Sequence, residues 1–149
     1  MTTAIDIRPI AAQDQSVWSG LWRDYLAFYE TTVSDAQYEL QFSRLIGSDP
    51  QDFNGFLAWI DERAVGLVHF LSHRHGQTEN NVIYLQDLYA AADLRGRGIG
   101  RALIEAVYAR ADETGAPQVY WLTQEFNTTA RRLYDQIATL TPFVKYQRS

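Results

Sequence analysis

Three glycines at alternate positions, in the run Arg95-Gly96-Arg97-Gly98-Ile99-Gly100, have a type and spacing suited to chemistry. Glycine lets backbone amides approach a ligand with no Cβ in the way. The run ends where a helical pattern begins. Free N–H groups at a helix start, at the positive end of its dipole, make an anion site. Arg95, Arg97 and Arg101 add positive charge, so the loop suits a pyrophosphate. Two other phosphate-binding patterns do not match. A nucleotide-hydrolase loop ends Gly-Lys-Ser/Thr, whereas this one ends Gly100-Arg101-Ala102. A dinucleotide fingerprint has its third glycine three residues after the second, but Gly100 follows Gly98 by two, and no acidic residue closes the strand that follows the helix. The pattern left is Arg95-x-x-Gly98-x-Gly100.

Other candidate groups are weaker. His69, His73 and His75 share strand parity, but no carboxylate stands at ligand spacing, and we expect no metal. Arg131-Arg132 is too small for a nucleic-acid footprint. The absence of cysteine excludes disulfides, zinc-thiolate sites and a thioester on the enzyme. A net charge of −5 fits a soluble surface, with mild support for a cationic substrate and none for nucleic acid. No stretch reads as a signal core or a membrane span, which points to a cytoplasmic protein.

The elements that must position these residues follow from periodicity. Residues 4–10 alternate as a strand closed by Pro9. Trp18, Leu21, Trp22, Tyr25, Leu26 and Tyr29 recur at helical spacing and predict a core-facing stripe. Ser34 with Gln37 suits a capping box for a second helix carrying Tyr38, Phe42, Leu45 and Ile46. Residues 53–60 and 64–72 read as a hairpin, and Val82 to Ala90 as a further strand. A helix starts at Ile99 and stops at Gly115 and Pro117. Residues 118–122 return to strand. Asn127 opens a helix with Ala130, Leu133, Tyr134 and Ile137 on one stripe, and residues 143–146 are expected as a last strand. The order predicts one α/β domain over residues 1–149. Its mixed sheet is mostly antiparallel, with a parallel strand–helix–strand unit around the glycine loop.

Three motifs together carry a resemblance. Tyr84-Leu85-Gln86-Asp87-Leu88-Tyr89, then Arg95 to Gly100, then Asn127-x-x-Ala130-x-x-Leu133-Tyr134 resemble the Gcn5-related N-acetyltransferase (GNAT) family, in its histone and polyamine branch. The resemblance implies acetyl-CoA as co-substrate and a primary amine as acceptor, either a polyamine-like small molecule or a lysine side chain of a peptide. It implies that the pyrophosphate lies on residues 95–101, that the backbone of Leu88, Tyr89 and Ala90 holds the pantetheine arm, and that Asn127 contacts the cofactor. A splay between the strands at Val82 and Gln118 would admit it. Tyr134 falls at the family's acid position, and relatives of this branch are often homodimers.

An amine must lose a proton before it attacks a thioester, because an ammonium of pKa ~10.4 has no free lone pair at neutral pH. A backbone N–H from residues 88–90 would stabilise the oxyanion, and Tyr134 would protonate the departing thiolate. The polyamine enzymes carry a glutamate where this chain has Gln86, and an amide is no base. Gln86 could instead orient a water, and Glu125 matches an acidic position in those enzymes. Simple alternation puts Gln86 toward the acceptor and Asp87 on the opposite face. The loss of the glutamate keeps open a second reading, a non-catalytic acyl-CoA-binding regulatory module.

Overall fold

The computed structural model describes residues 4–149, so the first residues of the expected N-terminal segment lie outside it. The elements run β1 (Asp6–Pro9), α1 (Gln15–Phe28), α2 (Asp35–Leu45), β2 (Asn54–Ile60), β3 (Arg63–His73), β4 (Val82–Ala90), α3 (Ile99–Thr114), β5 (Val119–Tyr120) and α4 (Thr128–Ile137). Among the described residues five strands lie in sequence order in one sheet; β1 to β4 pair antiparallel and β4 pairs with β5 in parallel. This is the mixed sheet expected from the order of elements. Among the described residues no helix is long and apolar enough to cross a membrane.

Local chemistry sets the boundaries. Ser34 Oγ accepts the Gln37 N–H at 3.1 Å and starts α2. Asp61 and Glu62 both take positive φ in the two-residue β2–β3 turn, the backbone twist that a tight hairpin needs. Gly115, at φ +72°, ends α3 in the left-handed conformation, and the Ala116 N–H closes the helix end on Ala111 O.

The sheet separates two apolar layers. On one face α3 packs Ile99, Leu103, Ile104 and Val107 onto Val65, Val68, Phe70, Ile83 and Leu85, and α4 adds Leu133, Tyr134 and Ile137 at the margin. On the other face α1 and α2 bury Trp18, Leu21, Trp22, Phe42 and Leu45 against Leu57, Leu67 and Tyr89. The α1 stripe is therefore core at Trp18, Leu21 and Trp22, while Tyr25 is half-buried and Tyr29 more exposed. At Gly66 α3 packs tightly on the sheet: a Cβ there would sit 2.8 Å from both Ile99 Cγ2 and the Tyr89 carbonyl.

Two expectations need correction. The strand expected over residues 118–122 pairs only at Val119 and Tyr120, because the chain turns away from β4 beyond that point. Residues 143–146 form no strand. Phe143, Val144 and Tyr146 are 88%, 74% and 92% exposed, with no neighbouring strand to complete a ladder.

Candidate active site

The parting of β4 from β5 creates the site. The two strands pair at Ile83–Val119 and Tyr84–Tyr120, after which β4 runs on alone to Ala90. On its other edge β4 remains paired with β3, and the Ala91 N–H donates to Val65 O at 2.8 Å. An antiparallel ladder alternates hydrogen-bonded and non-bonded pairs. Tyr89 and Asp87 thus spend their backbone groups on β3, whereas Leu88 and Ala90 turn theirs toward the opening. Of the three residues expected to hold a pantetheine arm, two are so placed and Tyr89 is not.

At the end of β4 the chain crosses a short turn (Ala92–Leu94) into the glycine loop. Gly96 and Gly98 have φ of +87° and +83°, which favour glycine, and a Cβ at either would meet nothing within 4 Å. Gly98 is the N-cap of α3, and no side chain caps its first turn, so the amides of Ile99, Gly100 and Arg101 have no capping partner. That fits a pyrophosphate. The Arg95 guanidinium lies elsewhere, over the Phe28 ring at 5.2 Å and the Tyr89 ring at 5.8 Å, and so ties the loop to α1. An open groove of about 1000 Å³ beside it is lined by Asp24, Phe28, Arg63, Tyr89, Asp93 and Arg95, among others. This groove lies on the α1 side rather than at the strand opening.

The expected division of Gln86 and Asp87 between opposite faces fails at a β-bulge. His69 pairs with Asp87 but Phe70 pairs with Leu85, so Gln86 is an extra residue and the two-residue period slips. Gln86 is exposed. Asp87 turns to the α1 face, where its carboxylate meets His69 Nδ1 at 2.9 Å. The histidines thus do have a carboxylate nearby, and it serves as a hydrogen-bond partner. His73 bonds the Tyr120 hydroxyl at 2.6 Å and the Arg74 carbonyl at 2.8 Å, while His75 accepts the Gln77 N–H.

The phenols gathered about Asp87 report its position. Tyr25, Tyr29 and Tyr84 all have raised pKa values, through burial first; the nearby Asp87 charge is the next cause for Tyr25 and Tyr29 and follows Tyr120 for Tyr84. Burial also pushes Tyr134 up to about 12, with Tyr29 the next cause. Tyr134 packs edge-to-face on Trp121 at 5.3 Å in the α3-side layer. Asn127 precedes α4 without a side-chain cap; its amide reaches only Thr123 Oγ1, at 3.4 Å. The Glu125 carboxylate is exposed, and its backbone carbonyl accepts from Arg131.

The sequence profile of the acetyltransferase (GNAT) family matches residues 15–138. The chain belongs to the GNAT family. The D-amino-acid N-acetyltransferase HPA3 of Saccharomyces cerevisiae is 38% identical over 148 residues, covering 97% of this chain and 91% of that protein. The GNAT fold recurs in a ribosomal-protein-alanine N-acetyltransferase of Brucella melitensis biovar Abortus 2308. That structure has a TM-score of 0.82 and 22% identity, with 98% of this chain and 99% of that one covered. It recurs again in AAC(6')-Iy bound to a bisubstrate analogue of coenzyme A, with a TM-score of 0.85, 20% identity and 99% of each chain covered. This GNAT chain is an N-acetyltransferase with acetyl-CoA as co-substrate, which sets aside the reading as a non-catalytic module.

Sequence reasoning missed Asp87 and its shell of Trp18, His69, Tyr25, Tyr29 and Tyr84. The parity of His69 and the helical stripe of Trp18 were visible in the sequence, but the bulge that brings Asp87 to their face was not.

Proposed function

We propose that the chain acetylates the primary amine of a small molecule by direct attack within a ternary complex. The observation that carries this reading is the strand opening, where β4 runs on past the end of β5 with the peptide groups of Leu88 and Ala90 turned away from β3. In this reading the Asp87 carboxylate takes a proton from the acceptor ammonium. The freed nitrogen bonds to the thioester carbon, and the Leu88 N–H donates to the oxyanion. The tetrahedral nitrogen gives up its second proton to solvent, the C–S bond breaks, and Tyr134 gives its phenolic proton to the coenzyme A thiolate. Solvent reprotonates Tyr134 and removes the proton from Asp87.

The remaining site residues take supporting roles in this proposal. Residues 95–101 hold the pyrophosphate through the α3 amides, with Arg97 and Arg101 as charge and Arg95 fixing the loop. Asn127 contacts the cofactor from the start of α4. Gln86 and Glu125 flank the acceptor entrance, where Gln86 orients water and Glu125 draws in a cation.

The acceptor class is tested with acetyl-CoA and an amine panel of D-amino acids, L-amino acids, polyamines and lysine peptides. The D-amino acids come first because HPA3 is named for them. We expect coenzyme A release with at least one small amine; release only with lysine peptides would overturn the small-molecule reading. We also propose a homodimer, supported by the open edge of β5 and the exposed apolar residues of the C-terminal segment.

A further inference from the structure

The proposed reaction uses Asp87 but not the group that holds it. His69 lies in β3, opposite Asp87 in the ladder, and is completely buried, while the Asp87 side chain is 12% exposed. Its two ring nitrogens have different partners. Nε2 lies 2.9 Å from Trp18 Nε1, and Nδ1 lies 2.9 Å from Asp87 Oδ2. An indole N–H can only donate, so Nε2 must accept and carries no proton. The single proton of the neutral ring is therefore on Nδ1, and it points at the carboxylate.

The surroundings single out this bond. Trp18 and Trp22 face the imidazole ring at 6.0 and 6.1 Å between centroids. Among the described residues, the titratable groups facing Asp87 are His69 from β3, Tyr25 from α1, Tyr29 just after it, and Tyr84 from β4, and no Lys or Arg pairs with the carboxylate. A polar ring buried among tryptophans costs stability that an apolar side chain of similar size would not. A role in the chemistry accounts for its presence.

We propose that His69 is a positioning residue for acetyl transfer. Its Nδ1–H, fixed by the Trp18 indole, holds the Asp87 carboxylate in place through one oxygen and leaves the second oxygen free for the acceptor amine. The inference rests on Asp87 being the proton acceptor proposed above.

Two substitutions separate the two ring nitrogens. The side-chain amide of His69→Asn can place an N–H near the Nδ1 position and restore the bond to Asp87. His69→Gln reaches instead to the Nε2 position, keeping a partner for Trp18 and abandoning Asp87. We expect the Asn variant to stay within a few-fold of wild type. The Gln variant should lose about 10- to 100-fold in kcat, the worth of a hydrogen bond to a charged group. The KM for acetyl-CoA should stay unchanged, since neither group lies on the glycine loop. A Gln variant with wild-type kcat overturns the inference, as does equal impairment of both variants. Asp87→Asn serves as the reference: full turnover there sinks the proton-acceptor reading itself, whereas an inactive Asp87→Asn beside an active His69→Gln sinks only the role of His69. Nitrogen NMR on histidine-labelled wild-type enzyme decides even if a variant does not fold. An Nδ1–H tautomer is expected, and an Nε2–H tautomer overturns the proposal.

Discussion

At the scale of single residues, Tyr134 carries the sharpest consequence. Its ring packs on Trp121 while its hydroxyl takes no part in any described hydrogen bond, so Tyr134→Phe keeps the packing and deletes only the proton donor. Turnover should fall by roughly 10²-fold or more with cofactor affinity unchanged, as expected for loss of a general acid. A wild-type rate in a step limited by chemistry would show that water protonates the thiolate. The alkaline side of the pH profile offers a separate check. A folded-state pKa pushed up to about 12, above the ordinary tyrosine value, keeps the phenol protonated through the range where a free tyrosine ionises. Activity should therefore show no loss near pH 10 attributable to Tyr134. An alkaline limb there that disappears in Tyr134→Phe would contradict the buried environment. The same shift makes folding less favourable as pH rises from the unfolded value toward 12, since the unfolded chain releases that proton first.

At the scale of elements, the start of α3 and the end of β4 form one device. Helix α3 offers uncapped amides because Gly98 enters it at φ +83°, and β4 offers unpaired peptide groups because β5 leaves at Tyr120. Gly98→Val should weaken acetyl-CoA binding. Since the space beside Gly98 is open, the cause is conformational: a β-branched residue disfavors the left-handed region by about 1–2 kcal/mol and would re-aim the loop. Titration of the folded variant with acetyl-CoA checks this, and unchanged affinity would remove the loop from the cofactor site. The bulge at Gln86 belongs to this scale too. It turns Asp87 toward α1, so Asp87→Asn should cost far more activity than Gln86→Ala, as read by kcat on the best amine. The reverse ranking would return the base to the Gln86 side.

At the scale of the whole molecule, the C-terminal segment is the unfinished part. Leu140, Phe143, Val144 and Tyr146 are exposed together, and Leu122 and Phe126 add apolar surface after β5. Contiguous apolar exposure of this kind marks association surfaces, and an edge strand with free peptide groups is a template for pairing. Light scattering should therefore give twice the 17.1 kDa chain mass. A chain ending after Ala138 should give the single mass. A full-length protein that remains monomeric at all concentrations would refute the proposed homodimer.

The sequence by itself determined the parts governed by local rules. The glycine loop was legible because left-handed φ values are readily adopted only by glycine, and the helix limits at Ser34 and Gly115 because capping acts within one turn. The order of strands followed from short connections. The resemblance in three motifs pointed to the family and to acetyl-CoA as co-substrate. What the tertiary structure decided is the face on which each β4 residue stands. One unpaired residue in a ladder reverses the alternation, and nothing within β4 alone announces it; the pairing of His69 with Asp87 and of Phe70 with Leu85 does. The same holds for the length of β5 and for the residues after α4, since a strand exists only where another backbone meets its hydrogen bonds, and that meeting is set by the distant parts of the chain.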